Sequence, residues 1–74
     1  MKKVYLVHYK EGDFYEYNVV VEHVCATEEK ANELAKELFK ELFKRNLRNL
    51  QEFESVENIK EFSKPWVRER EVVE

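Results

Sequence analysis

Few side chains in this sequence are equipped for chemistry. His23 and Cys25 alternate onto one face of an extended stretch, His8 is the only other imidazole, and Cys25 is the only thiol. A zinc site asks for about four ligands at short fixed spacings, and neither CxxC nor HExxH occurs. A cysteine two residues from a histidine on a strand is no recognised nucleophile–base pair. Cys25 reads instead as a small buried residue where a strand meets the following helix. There is no GxSxG, GxGxxG or P-loop, and one glycine leaves no loop able to wrap phosphates closely. Glu29, Glu33, Glu37 and Glu41 recur every fourth residue beside Lys36, Lys40 and Lys44, the pattern of a solvated, ion-paired helix face. The sequence therefore predicts no enzyme, no cofactor and no metal site.

The elements that carry these residues follow from composition and period. From Thr27 to about Leu50 the chain is built of Ala, Leu, Glu, Lys and Arg, which lose little rotamer freedom in a helix. Thr27 can cap the first free N–H groups, and Glu28 and Glu29 suit the positive end of the dipole. With Lys30 at the third helical position the full capping box is missing. Ala31, Leu34, Ala35, Leu38 and Leu42 share one narrow face at about 100° per residue. Phe39, Phe43, Leu47 and Leu50 drift around from it. Either the helix breaks near Asn46, or Phe39, Phe43 and Leu47 meet a second surface. An unbroken helix would be about 35 Å long, more than a compact chain of this size spans.

Before the helix lie two β-branched, aromatic runs, Lys3 to Tyr9 and Phe14 to Val24, separated by Lys10-Glu11-Gly12-Asp13. They predict an antiparallel hairpin. A two-residue loop at Glu11-Gly12 would pair His8 with Tyr15, Leu6 with Tyr17 and Val4 with Val19. Val4, Leu6, Tyr17, Val19 and Val21 would then meet the helix, leaving Tyr5, Val7, Tyr9, Phe14 and Val20 on the opposite face. A three-residue loop with Gly12 as a bulge would swap the faces of the first strand. After the long helix, Ser55 can cap a short one carrying Val56, Ile59 and Phe62, Pro65 stops it, and Trp66 to Val73 reads as an edge strand. The expected fold is α+β, a single domain over residues 1–74. Its order is β-β-α-(α)-β, with a three-stranded antiparallel sheet (order 2-1-3) covered on one face by the long helix.

Seventy-four residues sit near the lower limit for one unstapled core, and a lone cysteine excludes an intramolecular disulfide. No apolar run is long enough for a membrane span, and MKKVYLV runs too soon into polar residues for a signal peptide, so a cytoplasmic setting is expected. A net charge of −3 weakens general nucleic-acid binding. With 14% aromatics and 39% charged residues the chain is expected to be ordered.

Function must then be sought on surfaces. One helix covers one sheet face, so an apolar surplus is expected around Tyr5, Tyr9 and Phe14 and again around Phe39, Phe43 and Leu47. Such patches mark protein interfaces or self-association, including a homodimer. Glu52, Glu54 and Glu57 add an acidic surface. The alternative is a single-stranded nucleic-acid binder that stacks bases on the sheet aromatics and sets phosphates on Lys36, Lys40, Lys44 and Arg48. With its MKKVYLV start, hairpin, Glu/Lys-rich helix and lack of a catalytic motif, the chain resembles the small accessory proteins of phages and mobile elements, anti-CRISPR proteins among them. The resemblance spans the whole chain in style and contains no specific motif, so no residue role is carried over. It implies inhibition of a host protein by surface complementarity, in some members with acidic groups placed where nucleic acid would bind.

Overall fold

The computed structural model describes residues 2–73. Strand β1 (Lys2–Gly12) and strand β2 (Tyr17–Cys25) form the hairpin. Helix α1 (Glu28–Asn46) follows, then a single 3-10 turn (Leu47–Asn49), a one-turn helix α2 (Leu50–Phe53), helix α3 (Val56–Ser63) and strand β3 (Trp66–Val72). All pairing is antiparallel and the strand order is β2-β1-β3, as the sequence leads one to expect.

Local chemistry accounts for the helix boundaries. The Thr27 hydroxyl accepts from the Lys30 amide (3.2 Å) and the Ser55 hydroxyl accepts from Asn58 (3.1 Å), so both helices begin where a side chain satisfies a free donor. Helix α1 ends at Asn46, and Leu47 and Leu50 belong to new elements. Asn46 is buried and donates to the buried Ser63 hydroxyl (2.9 Å), which ties the end of α1 to the end of α3.

The core is built where the narrow face of α1 meets the sheet: Ala31, Leu38 and Leu42 pack with Val7 and Cys25, flanked by half-buried Tyr5, Tyr9, Leu34, Ala35 and Val67. A second cluster, Phe53, Ile59 and Phe62, lies at the hairpin-turn end. Phe14 stacks on Phe53 there with ring centroids 6.2 Å apart.

The hairpin register corrects the sequence-based expectation. The connection is four residues long, Asp13 to Glu16, and the Asp13 carboxylate accepts from the amides of Tyr15 (2.9 Å) and Glu16 (2.8 Å). Gly12 therefore pairs with Tyr17, Lys10 with Val19 and His8 with Val21. Past a β-bulge at Glu22 the register shifts, and Val7 pairs with His23 and Tyr5 with Cys25. Both hairpin faces are reversed relative to the expected two-residue loop. Tyr5, Val7 and Tyr9 face the helix, while Val4, Leu6, Tyr17, Val19 and Val21 face away. A turn closed by an aspartate side chain competes with a glycine-based tight turn, and here it wins.

The principal extents are 46 × 22 × 14 Å, and the radius of gyration is 13.8 Å. A compact chain of this length would have about 11 Å. Helix α3 reaches the sheet's second face at the hairpin end, where Phe62 meets Tyr17 edge to face (5.7 Å) and Glu61 borders a hollow with Lys10 and Tyr17, while Val19, Val21 and Val24 farther along that face stay exposed.

Candidate functional site

Strand pairing decides which side chains share the uncovered face. On β1 they are Lys2, Val4, Leu6, His8 and Lys10; on β2, Tyr17, Val19, Val21 and Val24; on β3, Trp66, Arg68, Arg70 and Val72. Val24, Val19 and Val21 are 65%, 55% and 46% exposed, so this is a continuous aliphatic strip along the β2 side of the face. The β3 side is bordered by two arginines. At the hairpin end the Lys10 ammonium sits over the Tyr17 ring, 4.9 Å from its centroid, with the edge of Phe62 beyond.

Charge is sorted by strand alternation. In β3 the run Arg68-Glu69-Arg70-Glu71 sends both arginines to the uncovered face and both glutamates to the helix side, where Glu69 meets Lys3 at 3.6 Å and accepts from the Tyr5 hydroxyl (3.4 Å). Glu22, the bulged residue, borders a hollow with Leu34, Glu37, Leu38 and Glu41 and so also lies on the helix side. The uncovered strand positions thus hold Lys2, Lys10, Arg68 and Arg70 and no carboxylate, in a chain of net charge −3. None of these four cations has an ion-pair partner among the described residues.

His8 sits at the centre of this face, 9% exposed and stacked on Trp66 (5.5 Å between centroids, planes 13° apart). Neither ring nitrogen has a hydrogen-bond partner among the described residues. Burial pushes its pKa below the ordinary value, and the Arg68 guanidinium adds to the shift, so the imidazole is held neutral.

No protein family, curated protein or solved structure matches this chain. Its surface is therefore read from its own geometry.

The residues singled out from sequence fall into three groups. Tyr5 and Tyr9 lie on the helix side, packed against the core, which corrects their expected place on the open face. Hydrogen bonding to Glu11, then burial, raises the Tyr9 pKa. Phe14 lies in the turn, where it joins α2 to the hairpin. Phe39 and Phe43 meet edge to face (5.7 Å) on α1, half-buried, and Leu47 is exposed in the turn that follows. Phe39 also lines a groove of about 750 Å³ between α1, α3 and the start of β3, together with Lys36, Lys40, Lys60 and Lys64. Glu52 and Glu54 share a hollow with Asp13 and Glu16 at the hairpin-turn end; Glu57 lies apart, in the first turn of α3. The Tyr15 hydroxyl donates to Glu54 (3.0 Å), a bond that raises the tyrosine's pKa. Sequence reasoning placed Val19, Val21 and Leu6 in the core and passed over Arg68 and Arg70. The signal was present in the strict Arg/Glu alternation of β3, which assigns each sign to its own face whatever the hairpin does.

Proposed function

We propose that this chain is a non-catalytic protein-binding module whose contact surface is the uncovered sheet face. The observation that carries the reading is the exposed valine strip of β2, Val19, Val21 and Val24, beside half-buried Leu6 on the sheet face away from α1. Exposed apolar area of this kind, bordered by charge, is characteristic of interfaces, and arginine and aromatic side chains are enriched in them. With three strands about 4.8 Å apart and some seven paired positions about 3.3 Å apart, the face measures about 300 Å² in projection. The likeness to phage accessory proteins accords with such a role, inhibition of a host protein being one form of it.

The test is affinity capture with two baits, the wild type and Val19→Ser/Val21→Ser. These valines are already half exposed, so the double variant should fold normally. A protein held by the wild type and released by the variant supports the reading; one held equally by both removes the sheet face from consideration.

A second reading has its own observation. The groove that brings Lys36, Lys40, Lys60 and Lys64 around half-buried Phe39 combines positive charge with an aromatic ring, as single-stranded nucleic-acid sites do. Retention on a single-stranded oligonucleotide that weakens with salt and is lost in Lys36→Glu/Lys60→Glu would favour it.

A further inference from the structure

The uncovered face carries a second property besides its apolarity. Four cations and no carboxylate occupy its strand positions, although the chain as a whole is acidic. We infer that the partner of this face is an amphipathic helix flanked by acidic residues, which lies along the sheet as a third layer opposite α1. This rests on the protein-binding reading above and gives the partner its chemistry.

Both edges of the sheet discourage an added strand. The β3 edge alternates Arg68, Glu69, Arg70 and Glu71, and the β2 edge is interrupted by the charged bulge at Glu22. What is left for a partner is the face itself, about 14 Å wide by strand spacing. A helix with its side chains is about 10–12 Å across. One helix therefore fills the width, as α1 does on the other side. Its apolar stripe would lie on Val19, Val21 and Leu6, and its carboxylates would reach Arg68 and Arg70 along one flank; Lys10 is already engaged over Tyr17 at the hairpin end.

Two other occupants fit less well. A second copy stacked face to face would bring the eight strand cations together (four from each copy), with Glu61 beside Lys10 at the hairpin end as the one carboxylate near them among the described residues. A single nucleic-acid strand meets the charge but not the surface. The exposed centre is aliphatic, His8 and Trp66 are stacked on each other, and the Tyr17 ring already carries the Lys10 ammonium. The rings of this face are thus already engaged with one another or with a cation among the described residues.

The experiment is selection of a displayed library of 18-residue amphipathic helices, with a fixed leucine stripe and Glu, Lys, Gln or Ser allowed at the flanks, against the full chain. The expected winners carry glutamate along one flank and bind about tenfold more weakly to Arg68→Glu or Arg70→Glu, but not to Lys30→Glu, the same charge change on α1. Winners lost in Val19→Ser/Val21→Ser but without an acidic bias would overturn the acidic partner and leave the protein-binding reading standing. Winners indifferent to both the arginine and the valine variants, or no winners at all, would overturn both. A dimer in sedimentation that Arg68→Glu strengthens would assign the face to a second copy. An oligo-dT probe displaced by the winning peptides and lost in Arg68→Glu would assign it to nucleic acid.

Discussion

His8→Phe keeps an aromatic ring against Trp66 and takes away two nitrogens that have no partner among the described residues. A buried donor or acceptor left unsatisfied costs about 1–3 kcal/mol. The stacked pair, worth about 0.5–1.5 kcal/mol beyond its area, is retained. Phenylalanine is only slightly larger than imidazole, so overpacking stays near the lower end, about 1 kcal/mol. The variant should therefore gain about 0–2 kcal/mol and melt up to about 15 °C higher, by the scaling for domains of this size. The gain should also depend on pH. The folded chain holds His8 below its ordinary value of 6.5, first by burial and then by Arg68. Below about pH 6.5 the unfolded chain takes up a proton that the folded chain does not, so wild-type stability falls as pH drops from 6.5 towards the folded pKa. Above pH 6.5 this contribution vanishes. Urea unfolding of both proteins at pH 8 and pH 5.5 makes the comparison, and the difference in stability should widen on acidification. A variant less stable than wild type, or a difference unchanged between the two pH values, would show that water or another group satisfies the imidazole.

Other perturbations test the fold around the site. Leu38→Ala, at the centre of the α1 face and buried against the sheet, should cost about 2–5 kcal/mol in denaturant unfolding. Glu54 holds a positive φ of 71° at the end of α2, so Glu54→Gly should gain about 1 kcal/mol, with Glu54→Gln as the control for the lost Tyr15 bond. Asn46→Ala leaves the buried Ser63 hydroxyl unpartnered and should cost about 1–3 kcal/mol; equal melting temperatures would mean the bond does not hold α3 to α1. Tyr5→Ala with Tyr9→Ala should lower the melting temperature markedly, because both rings pack against the core, and unchanged unfolding would place them elsewhere.

Much of the architecture could be read from the residues because it is locally specified. Thr27 and Ser55 mark helix starts through a bond within three residues, and Ala31, Leu38 and Leu42 mark the buried helix face by spacing alone. The choice of sheet face is not local in this way. Both faces of the hairpin are apolar enough to serve as core, so alternation identifies two sets without saying which meets α1. The decision passes to the turn, where a side-chain bond from Asp13 outweighs the obvious glycine, and to the bulge at Glu22, which has no strong sequence mark. The exposed face inherited that ambiguity: Tyr5 and Tyr9 exchanged places with Val19 and Val21. In β3 the charge alternation sorts the signs onto separate faces, but only the packing of Val67 says which face meets α1.

Val67 is the residue that sets the parity of β3. It packs against the core, and every second position from it takes the same side: Glu69 and Glu71 inward, Arg68 and Arg70 outward. A slip of one residue would carry arginine under the helix and set two glutamates on the far face beside Lys2 and Lys10, leaving its strand positions with no net charge. One small aliphatic side chain thus decides whether that face is basic or neutral. Exchanging the signs of the two pairs while leaving Val67 in place would cancel the charge with the packing intact. The charge of this face can therefore change without rebuilding the core.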